Sequence, residues 1–190
     1  MCVIGIYAGL NLVRSQSLPM YLAVMKKEET VTSYILSRLD YCNCFLMGIP
    51  NSIIQPLQKI QNFAARLVLL APCHHHSTPL LEKLHWFPIS EHIKYKVAYM
   101  CFSAMNSSGH PYLSELLQVY TPSHTLHSPS DTRILKIQQY KRKSHGFGAF
   151  PCFGPHIWNS LPQDLRHGST PSSFKAKLKT FLFSQHFHPN

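Results

Sequence analysis

Chemistry at phosphorus, carbon or a metal ion needs particular side chains brought together, and the acids of this chain are few enough to name. They are Glu28, Glu29, Asp40, Glu82, Glu91, Glu115, Asp131 and Asp164. Two-metal phosphoryl transfer requires carboxylates that converge on a pair of ions. The only adjacent acids, Glu28 and Glu29, follow Lys26 and Lys27 and read as a solvated polar turn. No such centre is expected. The nucleophile and phosphate motifs GxSxG, GxGxxG and GxxxxGK[ST] are also absent from the sequence. Thirteen histidines and six cysteines raise the question of a metal. The densest group, Cys73-His74-His75-His76, sets neighbouring side chains on one connection, where they rarely close a tetrahedral shell. Cys42-x-Cys44 is one residue short of the usual zinc spacing, and neither CxxC nor HExxH occurs. The residues therefore imply no metal and no cofactor.

The basic residues carry the stronger signal. Lysine and arginine number 18 against 8 acids, a formal charge of +10, which favours polyanionic partners, nucleic acid before a membrane surface. Nine basic residues follow Asp131 against the single acid Asp164, so +8 of that charge lies in the last third. Lys141, Arg142 and Lys143, flanked by Tyr140 and His145, suit contacts to phosphates with aromatic support. They suit the solvated edge of a hairpin equally well. Lys175 and Lys179 are further candidates for nucleic-acid contact, although with Lys177 the plainer reading is a solubilising helix face.

The elements that must position these groups are mostly helical. A helix is expected from Thr30, with Tyr34, Ile35, Leu39 and Cys42 on one side, ending near Gly48-Ile49-Pro50. The longest pattern follows: Ile53, Leu57, Ile60, Phe63, Ala64, Leu67 and Val68 recur at three- and four-residue steps. Gln58, Lys59, Gln61 and Asn62 are expected to face elsewhere. Asn51 or Ser52 would cap this helix, and Pro56 would delay its start to about Gln55. Thr78-Pro79 opens a short helix over Leu80–Leu84, and Trp86 sits in a bulky apolar corner. Ser90 caps a helix whose stripe is Ile93, Val97, Met100, Cys101, Ala104 and Met105. Pro111–Leu117 gives one or two turns. Residues 120–132 read as a loop, and Arg133–Phe150 can form a small β-hairpin. Phe150–Leu161 reads as an irregular aromatic and Pro-rich segment around Trp158. A last helix, capped by Ser172 or Ser173, carries Phe174, Leu178, Phe181 and Leu182 on one face. The expected fold is mainly α, divided into 1–29, a helical domain over 30–118 and a basic C-terminal segment over 119–190.

The cysteines have no regular spacing, several lie among apolar residues, and the short apolar run at the N-terminus lacks a basic flank. Reduced thiols and an intracellular protein are expected, with nucleus and cytoplasm not distinguished. No apolar run reaches the length of a membrane span.

SRLDYCN (Ser37–Asn43), then Gly48 and Pro50, then LQKIQNFAARLV (Leu57–Val68) resemble the region just downstream of the catalytic palm in reverse transcriptases of non-LTR retrotransposons. The nearest likeness is to the jockey-like and chicken-repeat-like classes. Later blocks keep the family's order: HSTPLLEKLHWFPI (His76–Ile89), GHPYLSELL (Gly109–Leu117), PHIWNSLP (Pro155–Pro162) and SSFKAKLKTFLF (Ser172–Phe183). The resemblance implies a helical thumb-like bundle that grips template–primer nucleic acid, such as an RNA–DNA hybrid, largely by its backbone. It also implies that Arg38, Asp40, Tyr41, Gln61, Asn62, Arg66, Trp86 and Trp158 are motif residues with structural roles. The palm with its paired aspartates and the endonuclease have no counterpart in these residues, so an RNA-directed DNA polymerase activity is not expected. Where the family shows a basic block like SRSLRSSS, this chain reads SHTLHSPS (Ser123–Ser130), and a YGDRAF-like segment reads HGFGAF (His145–Phe150). Both departures remove arginine.

Three readings follow. The chain is a non-catalytic nucleic-acid-binding fragment, or a non-functional translated transposon remnant, or a small helical module that binds a protein through an exposed apolar helix face. The missing palm makes an exposed apolar patch on Ser37–Val68 an expectation.

Overall fold

A computed structural model describes residues 31–41, 46–106, 109, 111–121, 133–138, 149–167 and 170–188. These residues are mainly α-helical, and they fall into two compact units, one from 31–41 and 50–89, the other from 46–49 and 90–188. The division falls at 89/90, whereas the sequence reading places a boundary at 118/119. Within the second unit Val119 pairs with Leu135 and Phe102 stacks on Phe174.

In the first unit a π-helical stretch, Thr32–Leu36, runs into α1 (Ser37–Tyr41), where Ser37 Oγ donates to the Ser33 carbonyl. Val31 and Leu39 are buried. Residues 42–45 lie outside the described ones, and Gly48, which belongs to the second unit, takes φ 67, a left-handed conformation suited to glycine. α2 spans Asn51–Leu69 with Pro50 at its N-cap and no side-chain cap, so neither Asn51 nor Ser52 plays that part. Pro56 does not delay the start. It lies on an exposed stretch of the helix, where the Ser52 carbonyl it leaves unbonded can take water.

α2 ends with Leu70 in the left-handed region (φ 51) and the Ala71 N–H on the Arg66 carbonyl at 2.9 Å. α3 (Ser77–Lys83) ends the same way, with His85 at φ 53 and Trp86 N–H on the Leu81 carbonyl at 2.9 Å. Both are six-to-one closures that usually employ glycine. α2 packs on α3 and on the π-helical stretch.

Of the expected stripe on α2 Ala64 is buried, but the face that is buried is centred elsewhere. Gln61, Ala64 and Ala65 are buried, while Ile53 is 54% and Phe63 46% exposed. The backbone of 87–89 approaches this face, where side-chain amides satisfy it. Gln61 Nε2 donates to the Phe87 carbonyl (2.7 Å) and Gln58 Oε1 accepts from the Ile89 N–H (2.9 Å). Gln58 Nε2 in turn donates to Gln61 Oε1 and Asn62 Oδ1, each at 2.9 Å.

The second unit is organised by α4 (Ile89–Met105), whose residues from Ser90 onward belong to it, and α8 (Pro171–Phe187). Between them in sequence come α5 (Pro111–Leu116), α6 (Phe150–Asn159) and α7 (Gln163–Arg166). Of the expected α4 stripe, Ile93, Val97, Cys101 and Ala104 are buried and Met100 and Met105 half-buried, with Ala98 and Phe102 buried beside them. Phe102 stacks on Phe174 (4.2 Å, 8°), and Trp158 tilts against Phe174 at 5.9 Å. Thr170, not Ser172 or Ser173, caps α8: its hydroxyl accepts from the Ser173 N–H at 3.3 Å, and Pro171 takes the first position. Of the expected face Phe174, Leu178 and Leu182 are buried and Phe181 is half-buried.

Phe150–Leu161 is not irregular. Pro151 lies in the first turn of α6, where it forfeits no bond, and Pro155 removes only one. Gly154 lets α6 approach α4, since a Cβ there would lie 3.1 Å from Cys101 Sγ. The short extended segment 133–138 bridges Val119 through Leu135, and most of the expected hairpin (139–148) lies outside the described residues. Its other edge is held by α6. The Asn159 amide accepts from Leu135 N–H (2.9 Å) and donates to Leu135 C=O (2.8 Å), as a third strand would. Among the described residues no helix is long and apolar enough to cross a membrane.

Candidate nucleic-acid interface

Lys141, Arg142 and Lys143 lie outside the described residues, so the geometry concerns α8 and α4. The buried face of α8 is set by Phe174, Leu178 and Leu182. At 100° per residue, Lys175, Lys179 and His186 share one flank of that face, and Lys177 falls on the other. Lys175 and Lys179 are one turn apart, about 6 Å, and His186 about 10 Å further along the axis.

This flank lies beside α4. Lys175 Nζ stands 4.3 Å from the centre of the Tyr99 ring, and His186 Nδ1 is 4.0 Å from Glu91 Oε1. With Phe102 against Phe174, these contacts run in opposite order along the two helices, which are therefore antiparallel neighbours. Tyr99, Lys96 and His92 recur on α4 at three- and four-residue steps and present one surface with Lys175. The pair of helices carries five lysines (94, 96, 175, 177, 179) against one acid, Glu91. Glu91 is buried and bonded to Lys94 at 2.8 Å, so its charge is already answered.

The phenols respond to this setting. Hydrogen bonds with Ser103 and then Lys175 make the Tyr99 hydroxyl more acidic than usual. Burial is the chief influence on Tyr95, raising its pKa against the opposing pull of Lys175. A cation held over a ring and exposed ammonium groups one turn apart can contact successive phosphates. Among the described residues no cluster of three or more metal-ligating side chains occurs.

No family model, no curated protein and no solved structure matches this chain.

The motif residues have positions of several kinds. Gln61 and Asn62 belong to the amide network of α2. Arg66 Nε and Nη2 donate to the His75 carbonyl at 3.3 and 3.0 Å, tying the histidine-rich connection to α2. Trp86 is buried in the first unit and Trp158 fully buried in the second, its Nε1 donating to the Arg133 carbonyl at 2.6 Å. Arg38 and Tyr41 are exposed on α1 and Asp40 is half-buried. None of these lies on the α4–α8 flank. Tyr99 and Lys96, which do lie there, were not among the sequence candidates. The spacing Lys96-x-x-Tyr99 could have drawn attention to them, but only the register of α8 makes it informative.

Proposed function

We propose that this chain is a non-catalytic fragment of a retrotransposon-type reverse transcriptase that binds nucleic acid, with an RNA–DNA hybrid as the ligand the resemblance favours. The observation that carries the reading is the row Lys175, Lys179 and His186 beside Lys96 and Tyr99, on two helices whose one acid, Glu91, is itself paired. Contacts of this kind neutralise phosphates and read no base edges, so binding is expected to be general in sequence and steep in salt. The absence of a catalytic role rests on the sequence's eight scattered acids.

The test is binding of a labelled RNA–DNA hybrid across a salt series. Reversing Lys175 and Lys179 to Glu should weaken binding and lower the slope of log affinity against log salt by about two. Reversing Lys141, Arg142 and Lys143 should lower it further. Affinity indifferent to salt and to all five changes would overturn the reading.

A further inference from the structure

The first unit leaves part of α2 uncovered. Ile53, Ile60, Phe63 and Leu67 form a ridge about 120° round the helix from the buried Gln61. Ile53 and Phe63 are exposed, and Ile60 and Leu67 half-exposed. With Pro56 these residues follow alternating steps of three and four (53, 56, 60, 63, 67), the register of a seam between two helices. On that register Lys59 and Arg66 both occupy the flanking g positions, and α2 contains no acid at all. The hydrogen bonds from Arg66 to the His75 carbonyl fix its guanidinium at one end of the ridge.

The geometry points to a docking seam for an amphipathic helix of another protein, with leucine-like residues on its seam and glutamate or aspartate on the flank that meets Lys59 and Arg66. Charge decides the occupant. A second copy in antiparallel register would set Lys59 and Arg66 against themselves, and in parallel register would set them against Leu57 and Ala64. Neither offers an acid. A bilayer would need an apolar face wider than this ridge, which the unit's own contacts through Gln61, Ala64 and Ala65 restrict to one side of the helix. The inference uses the first unit alone and does not depend on the nucleic-acid reading.

The test uses the full chain and two synthetic three-heptad helices with leucine seams, one flanked by Glu and the other by Lys. The Glu-flanked peptide should bind and the Lys-flanked one should not. Lys59→Glu, an exposed change that leaves the amide network intact, should weaken the Glu-flanked peptide about tenfold and favour its Lys-flanked counterpart. Phe63→Ser should abolish binding while the circular dichroism spectrum stays unchanged. Equal binding of both peptides, binding that survives Phe63→Ser, or no binding of either would overturn the proposal. So would sedimentation showing that the ridge is consumed by self-association, or attachment to anionic vesicles lost on Phe63→Ser.

Discussion

In the first unit the buried residue nearest the middle of α2 is an amide, Gln61; in the second the first buried residue of α8 is an aromatic ring, Phe174. Gln61 gains little from leaving water and repays its desolvation only through hydrogen bonds of fixed direction. Phe174 gains from area removed from water and from stacking on Phe102, and tolerates small displacements. An amide network specifies where 87–89 must lie, while a ring stack stabilises its core through burial and contact of two rings. Around that network the first unit buries Val31, Leu39, Leu81, Trp86 and Phe87, while Phe63 stays outside.

That contrast can be broken experimentally, because the chain has two tryptophans, Trp86 in the first unit and Trp158 in the second. Trp86→Phe leaves a reporter of the second unit and Trp158→Phe one of the first. The largest effect is expected from Phe174→Ala, which should destabilise the Trp158-reported denaturant transition by about 3–5 kcal/mol. If the Trp86-reported transition falls equally, the two units unfold as one and the comparison fails. Gln61→Met keeps the volume and removes the amide, and should cost about 1–3 kcal/mol in the Trp86-reported transition. A neutral result would mean that the network does not fix 87–89. Thr170→Ala should cost about 1 kcal/mol through loss of the α8 cap, read from the Trp158 transition. The smallest effect has the opposite sign. Leu70 is 68% exposed and held at φ 51, so Leu70→Gly should stabilise the first unit by up to about 1 kcal/mol in thermal melts.

What could be read from the sequence follows the same division. Helices whose cores are apolar were legible: Phe174, Leu178 and Leu182 on α8, and Ile93, Val97, Cys101 and Ala104 on α4, are buried where periodicity puts them. The face of α2 was not, because a pattern of apolar residues treats glutamine as outward-facing and has no means of knowing that a backbone segment 26 residues on will approach Gln61. The prolines of α6 misled for a related reason. Pro151 and Pro155 look like breakers until their positions in the helix show how little they remove. In the candidate interface, composition singled out Lys175 and Lys179, but it could not pair them with Tyr99 and Lys96, since that needs the register of two helices whose touching residues, Tyr99 and Lys175, are 76 positions apart. The Asn159 amide that stands in for a strand had no signal in the sequence at all.

The close approach of α6 to α4 at Gly154 also has a use at the bench. Cys101 is fully buried beneath it, and burial pushes its thiol well above the ordinary cysteine range, so the reactive thiolate is scarcely populated in the folded chain. Alkylation of Cys101 must therefore wait for the two helices to part, whereas the exposed Cys73 is accessible in the folded chain. Followed peptide by peptide, Cys101 is a clock for the opening of the second unit, and Cys73 is the standard against which it is read.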